Sequence, residues 1–329
     1  MAKTLDKKLK KIHNGKYSYK DFIIADAKDA DMGGGIPATG QNRDESGKKL
    51  KSYKNLDGYL DAMKNMTKSG LVDIMLMSAS NAEKLIKKQV FKNSNVTPAI
   101  RLNDTTDIWM MRHGIYRDSF AKPFRTANIK NVKKLTNLGL FSLTFSRDVD
   151  LDLSMLNAYR DFRVEAQENN LSHFMEVFNS PVGIGLNVKE MGDYVNDCIL
   201  KTLAGVTNAE RPLFLKIAYN GPKAMEELAS YDPNNLIVGI LGGGKGTTMD
   251  CFELLSKASK YGAKVALFGR KINLAEDQKL IVKVMREVVG GLSSAEAVKY
   301  YHDQLKKKKI NPDRALSDDL KITEAVLKI

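Results

Sequence analysis

The sequence predicts an α/β fold: a (β/α)8 TIM barrel with a long first βα loop and a C-terminal helical extension. Short apolar runs recur along the 329 residues, and each is followed by a polar turn and then by a segment with helical periodicity. Alternating strands and helices are typical of a parallel sheet. Eight such units within roughly 250 residues fit a closed barrel better than an open sheet.

Each predicted strand is a short run of apolar residues. In chain order the runs are FIIAD (22–26), LVDIMLM (71–77), TPAIRL (97–102), LGLFSLTF (138–145), SHFMEVF (172–178), PLFLKIA (212–218), LIVGIL (236–241) and AKVALF (263–268). The segments between them, such as EMGDYVNDCILKTLA and TTMDCFELLSKASKYG, carry apolar residues at helical spacing. Several of these segments begin with a candidate helix-capping residue.

The first connection, residues 27–70, is unusually long and contains the Gly-rich stretch MGGGIPATGQNRDESGKK. It predicts either a mobile lid over the barrel mouth or a plain disordered loop. No linker divides the chain, so we expect a barrel domain with an N-terminal extension over residues 1–290. Residues 291–329 then form a C-terminal helical extension, which favours a homo-oligomer because it is available to pack against a neighbouring subunit.

The composition argues against several classes of partner. The net charge of +13 is spread out, and its densest runs, residues 3–11 and 306–309, lack the interleaved aromatic residues of a nucleic-acid surface. No apolar run approaches the roughly 20 residues of a membrane span, and the N-terminus has no apolar signal stretch, so we expect a cytoplasmic protein without membrane or nucleic-acid partners. Cys198 and Cys251 indicate neither a disulfide framework nor a zinc site.

The stretch LIVGILGGGKGTTMD (236–250) suggests a phosphate-binding loop. It can be aligned with the P-loop pattern of nucleotide hydrolases through Gly244 and Lys245, but Gly246 stands where that pattern has Ser or Thr. A P-loop protein also needs further strands and an acidic strand end for magnesium, whereas only one predicted strand follows. A phosphate loop of a barrel fits the chain better.

In such a barrel, phosphate is usually held by the loops after the seventh and eighth strands. GGGKGTT follows the seventh predicted strand, and there Gly242, Gly243 and Gly244 allow close approach of an anion to backbone N–H groups. Gly269 does the same after the eighth strand, and Arg270 adds a charged fork. The alternative is that both loops are ordinary glycine turns.

Lys216 lies inside the apolar run PLFLKIA. Burying a cation is unfavourable unless it is paired or loses its proton, and burial lowers the pKa of a lysine. A lysine in this setting can attack a carbonyl and form a Schiff base. The structural alternative is a lysine that reaches solvent at the strand end or pairs with a carboxylate.

Two carboxylates are candidates for proton transfer beside Lys216. Glu176 lies in the fifth predicted strand and Asp26 at the end of the first, with Lys28 just beyond it. If alternation points these side chains into the barrel, they converge with the lysine. We also expect Lys28 to contact a substrate phosphate. The structural alternatives are ion pairs of Asp26 with Lys28 and of Glu176 with Lys216.

Taken in order, these motifs over roughly residues 20–285 resemble the class I aldolases that include DhnA-type fructose-bisphosphate aldolases, tagatose-bisphosphate aldolases and their DeoC and LacD relatives. The resemblance implies a barrel that catalyses metal-independent aldol cleavage or condensation of phosphorylated ketoses, without a cofactor. By position, Lys216 corresponds to the Schiff-base lysine, Asp26 to the acid of the first strand and Glu176 to the acid/base group of the tagatose type. The phosphate ligands would be Gly243, Gly244, Gly269 and Arg270.

The sequence therefore predicts a class I aldolase that binds a sugar phosphate and plausibly yields dihydroxyacetone phosphate. Two alternatives stay open: a non-catalytic sugar-phosphate-binding barrel, and another Schiff-base barrel enzyme such as a transferase or isomerase. Two stretches, LTFSRD and ADAKDADMGGG, depart from the wording of the family and bear on substrate choice.

Overall fold

The eight predicted strands form a closed parallel barrel, which confirms the fold class. The computed structural model describes residues 3–329, apart from the side chains of Asp104 and Asp107. The barrel strands are β1 (Ile23–Lys28), β2 (Ile74–Met77), β3 (Thr97–Arg101), β4 (Leu138–Thr144), β5 (Ser172–Phe178), β6 (Leu215–Ile217), β7 (Gly239–Leu241) and β8 (Val265–Phe268). Each strand pairs in parallel with the next, and β8 pairs with β1 to close the ring.

Helices connect the strands and extend the chain at both ends. They are α1 (Thr4–His13), α2 (Asp31–Gly34), α3 (Leu56–Ser69), α4 (Ala79–Lys87), α5 (Ile129–Lys133), α6 (Val149–Glu168), α7 (Val188–Ala204), α8 (Pro222–Tyr231), α9 (Thr248–Lys260), α10 (Arg270–Asn273), α11 (Gln278–Val289), α12 (Ser294–Lys307) and α13 (Leu316–Asp319). Several helices are preceded by a residue whose side chain caps their first turn. Asn187 has this role for α7 and Thr247 for α9. No helix within residues 3–329 is long and apolar enough to cross a membrane.

The barrel interior is an apolar cluster distinct from the layer between strands and helices. Ile23, Ala25 and Ala27 of β1 belong to the interior, and the rings of Phe174 and Phe214 stack there at 4.6 Å. Leu5, Leu9 and Ile12 of α1 belong to the same cluster, so α1 closes the amino-terminal end of the barrel. Since side chains alternate along a strand, Glu176 and Lys216 share the inward direction of Phe174 and Phe214.

The long first connection is folded and packs against the C-terminal extension. It contains α2, a short hairpin formed by Gln41–Arg43 and Lys49–Tyr53, and then α3. Arg43 of the hairpin pairs with Asp313 at 2.7 Å. The connection is therefore not a plain disordered loop, because it forms helices and a hairpin that is tied to the C-terminal extension by an ion pair.

A different segment covers the mouth of the barrel: the loop after β3, residues 102–127. Its backbone reaches the first connection, where the N–H of Met110 donates to the carbonyl of Gly33 at 2.6 Å. A Cβ atom at Gly33 would lie 2.7 Å from the carbonyl oxygen of Ile108, so only glycine permits this approach.

The C-terminal extension packs on the barrel of its own chain. Val298, Tyr301 and Leu305 of α12 lie in the core layer between strands and helices. Beyond α12 the chain returns to the start of α9, where Asp250 accepts from the backbone N–H of Thr323 at 2.7 Å. Packing against a neighbouring subunit stays a prediction.

Candidate active site

Lys216 and Glu176 form a buried ion pair at the carboxyl ends of neighbouring strands. They face each other in the register of β5 and β6, and Lys216 Nζ lies 2.6 Å from Glu176 Oε1. Lys216 is 5% exposed and Glu176 is 1% exposed. The two side chains converge, as predicted. They do so as an ion pair, which the sequence offered as the structural alternative to a catalytic pair.

Arg101, at the end of β3, connects Glu176 with a second carboxylate. Its guanidinium donates to Asp29 Oδ2 at 2.5 Å, to Glu176 Oε2 at 2.8 Å and to Ser142 Oγ at 2.6 Å. The hydroxyl of Ser142 donates in turn to Glu176 Oε2 at 2.7 Å. Two carboxylates and two cations therefore form one buried network at the base of the barrel mouth.

The network holds Arg101 and Asp29 in their charged forms. Burial works against the charged form of Arg101, but Asp29 and Glu176 outweigh burial and raise its pKa above the ordinary value. Burial likewise favours a neutral Asp29, but Arg101 and Lys216 prevail and hold the pKa of Asp29 below its usual range. Asp29 is therefore an ionised carboxylate near neutral pH.

Sequence reasoning missed Arg101, Asp29 and Ser142. Arg101 could have been found by the argument used for Lys216, because it is also a cation inside a buried apolar run. Asp29 lies two residues after the inward-facing Ala27, just past the end of β1. Nothing in the sequence predicts a functional role for Ser142, because a serine within a strand has no distinctive pattern around it.

The placement expected for Asp26 and Lys28 needs correction. Asp26 shares the direction of Phe22 and Ile24, which lie in the layer between strands and helices rather than in the barrel interior. Its carboxylate accepts from Lys28 Nζ at 2.8 Å, and both side chains are fully buried. Neither residue lines the cavity above Lys216. Burial raises the pKa of Asp26 despite this partner, and Asp29 takes the inward place instead.

A cavity of about 500 Å³ opens above the Lys216–Glu176 pair. One wall is formed by the two predicted glycine loops, and it includes Gly242, Gly243, Gly244, Gly269 and Arg270. Gly243 has a φ of +64°, which glycine adopts at no steric cost, and no atom lies within 4 Å of where its Cβ would be. Four of the five expected phosphate ligands, all except Lys28, thus lie in the same cavity as the lysine, and their role stays a prediction.

Lys245, which a P-loop alignment directs at phosphate, points elsewhere. Its ammonium pairs with Asp313 of the C-terminal extension. Thr247 caps α9 by accepting from the N–H of Asp250 at 3.0 Å. The glycine loop therefore has the setting of a barrel loop that leads into a helix.

His173 lies outside the cavity, in the place expected of a satisfied strand histidine. Its Nε2 is 2.9 Å from Tyr159 Oη, and burial, followed by the charge of Arg163, lowers the pKa of His173 to about 3. Among the described side chains, no group of three or more His, Cys, Asp and Glu residues could hold a metal ion.

The closed barrel has the fold of the class I fructose-1,6-bisphosphate aldolases. A Schiff base-forming fructose-1,6-bisphosphate aldolase is 16% identical to this chain, with a TM-score of 0.62 over 87% of this chain and 99% of the other. An archaeal fructose 1,6-bisphosphate aldolase gives a TM-score of 0.63 at the same identity and coverage.

A fructose-bisphosphate aldolase from Slackia heliotrinireducens is 11% identical, with a TM-score of 0.62 over 95% of this chain and 92% of the other. At these identities the likeness is one of fold. No protein-family model matches the sequence, and no curated protein matches it.

Proposed function

We propose that the protein is a metal-independent class I aldolase that forms a Schiff base between Lys216 and a phosphorylated ketose. The observation that carries this proposal is the 2.6 Å pair of Lys216 and Glu176 at the base of a cavity of about 500 Å³. A cavity of this size accommodates a small substrate. In support, an archaeal aldolase with this fold, at 16% identity, has its catalytic lysine covalently bound to the carbinolamine intermediate of its substrate.

Imine formation requires a neutral amine, and Glu176 is placed to accept the proton of Lys216. The amine then adds to the ketone carbon, and the proton that the nitrogen loses goes to the carbonyl oxygen, which gives a neutral carbinolamine. Glu176 next donates its proton to the carbinolamine hydroxyl, which leaves as water while the nitrogen lone pair forms the C=N bond. The resulting iminium withdraws electrons from the adjacent carbon.

Cleavage needs a base for the hydroxyl on the far side of the scissile bond. Asp29 is held ionised by Arg101 and lines the same cavity. As its carboxylate accepts the hydroxyl proton, the C–C bond breaks, its electron pair moves to the iminium to form an enamine, and an aldehyde leaves. Protonation and hydrolysis of the enamine then release the ketone and regenerate Lys216.

The glycine loops beside the ion pair suggest the class of substrate. Gly243, Gly244 and Gly269 line the cavity without side chains, so an anion can approach the backbone closely, and Arg270 adds a guanidinium. Both features suit a phosphate ester. Dihydroxyacetone phosphate is the ketone product that we expect.

Borohydride reduction tests the proposal because it converts an imine into a stable adduct. We expect treatment with dihydroxyacetone phosphate or a ketose phosphate to add the substrate mass to the peptide that contains Lys216. Lys216→Met should show no adduct, while Lys223→Met, a change at an exposed lysine of α8, should react like the wild type. No adduct with any carbonyl compound, in a protein that still binds phosphate, would refute the aldolase.

A second candidate is a sugar-phosphate-binding barrel without turnover. The feature that favours it is the ion pair itself, since Glu176 at 2.6 Å stabilises the charged, unreactive ammonium of Lys216. Binding without a trapped adduct would identify this case. A trapped adduct without aldol cleavage would indicate a Schiff-base transferase or isomerase.

A further inference from the structure

Two arginines meet over the mouth of the cavity from opposite sides. Arg117 comes from the loop after β3, and Arg270 begins α10 after β8; both line the cavity. Their Nη1 atoms approach the same thioether, Met110 Sδ, at 3.8 Å and 3.9 Å. Within the part of the chain whose side chains are described, neither guanidinium forms a salt bridge.

Among the described side chains, these two like charges have no strong acceptor. A thioether sulfur is only a weak acceptor, whereas a guanidinium binds anions through a fork of N–H donors. Burial, and then the charge of Arg117, lower the pKa of Arg270. Glu324, whose charge acts in the opposite direction on Arg270, is itself paired with Lys271 at 2.8 Å.

We propose that Arg117 and Arg270 form a two-arginine clamp for the phosphate group of the substrate, and that the anion draws the loop after β3 onto the glycine wall. A phosphate offers acceptor oxygens to both guanidinium groups at once, and charge-assisted bonds would replace the contacts with sulfur. The inference rests on the proposed function only for the class of ligand. It adds a binding residue, Arg117, from outside the two glycine loops.

The loop after β3 contains a tryptophan whose fluorescence can report a change in the position of Arg117. Trp109, the single tryptophan of the sequence, lies between Ile108 and Met110, which both line the cavity. Its ring contacts Tyr116 edge-on with centroids 5.2 Å apart. Because Tyr116 adjoins Arg117 in the chain, an anion that moves Arg117 changes the surroundings of the indole.

The experiment measures the binding of inorganic phosphate and dihydroxyacetone phosphate by calorimetry and, in parallel, by Trp109 fluorescence. We expect saturable binding with a fluorescence change in the wild type. Arg117→Ala should weaken binding about tenfold or more and abolish the fluorescence change, because charge-assisted bonds are lost. Arg117→Lys keeps the charge but not the fork and should bind with intermediate affinity. Arg112→Ala, an exposed arginine of the same loop outside the cavity, should behave like the wild type.

Wild-type affinity in Arg117→Ala, or no phosphate binding by the wild type, would overturn the clamp. Lys216→Met separates the two proposals, because the clamp needs no imine and its phosphate response should persist. Phosphate binding through Arg117 without a borohydride adduct in the wild type leaves the clamp standing and refutes the aldolase. An adduct that forms with unchanged phosphate affinity in Arg117→Ala refutes the clamp alone.

Discussion

Glu176 forms an ion pair with a lysine and accepts hydrogen bonds from an arginine and a serine, so its carboxylate has little freedom to turn. Lys216 occupies Oε1, whereas Arg101 and Ser142 occupy Oε2. The oxygen facing Lys216 is thereby held at proton-transfer distance. Arg101 does not contact the reacting amine, and we regard it as a positioning residue that acts through Glu176 and Asp29.

Arg101→Lys should shift the pH dependence of aldol cleavage. A lysine is a point charge that can hold only one of the two buried carboxylates, so the pKa of Asp29 should rise under the burial that remains. We expect the acidic limb of the cleavage rate to move to higher pH and the maximal rate to fall roughly tenfold or more, since small misplacements are costly. Cleavage rates of a ketose phosphate measured across about pH 4–9 test this. Arg160→Lys, at an exposed arginine, is the control, and an unmoved acidic limb would contradict the positioning role.

The charged residues in and just after β1 lie on two different faces: one face carries a buried ion pair, and the other faces the candidate site. Asp26 and Lys28 point outward into the layer beneath the helices, while the chain just past the strand turns Asp29 inward to Arg101. The hydroxyl of Tyr59 in α3 also donates to the carbonyl of Lys28 at 2.8 Å. The hydrogen bond from Tyr59 therefore links the end of β1 to the helical layer.

Asp26→Asn should destabilise the fold without removing the chemistry. It leaves the ammonium of Lys28 buried without a counter-charge, and breaking a buried pair lowers the free energy of unfolding by about 3–5 kcal/mol. Chemical denaturation measures this loss. The folded fraction should still trap an imine and cleave the aldol, whereas Asp29→Asn should trap the imine but cleave the aldol slowly.

The double variant Asp26→Leu/Lys28→Met provides the control, because replacing both charges is often close to neutral. A stable Asp26 variant that no longer traps the imine would restore the catalytic role predicted from sequence.

β1 also marks the limit of prediction from sequence. Alternation correctly grouped Asp26 with Phe22 and Ile24, but a period of two cannot tell which group faces inward when both are apolar. In β5 and β6 the side chains assumed to face the barrel interior do so, and Glu176 and Lys216 therefore converge. The eight strands were predictable because each apolar run is bounded by turn residues. The Arg101 network was not, since its members come from five separate strands or strand ends.

At the scale of the whole molecule, the C-terminal extension joins elements that are far apart in sequence. Asp313 pairs with Arg43 and Lys49 of the first connection and with Lys245 of the glycine loop. These partners outweigh burial and hold the pKa of Asp313 well below its ordinary range. The sequence predicted the extension but assigned it no such contact, because three cations spread over 200 residues give no local pattern.

Asp313 should make stability depend on pH in acid. A carboxyl with a lowered pKa in the folded state stabilises the fold above its unfolded pKa of about 3.9 and loses that contribution as pH falls through the folded pKa. Asp313→Asn should therefore lower the free energy of unfolding by about 1–3 kcal/mol at pH 7, and the difference from wild type should shrink below pH 4. Urea unfolding at several pH values checks this, with the exposed Asp303→Asn as control. A difference that stays constant into acid would show that Asp313 acts by shape alone.

Helix α1 closes the amino-terminal end of the barrel with Leu5, Leu9 and Ile12. Substrate and both products then share one passage, the mouth beneath the loop after β3. In an aldolase built this way the ketone fragment remains tethered to Lys216 while the aldehyde is free to diffuse. The order of release follows from this geometry: the aldehyde leaves first, and high aldehyde concentrations should compete for the enamine rather than for the empty enzyme.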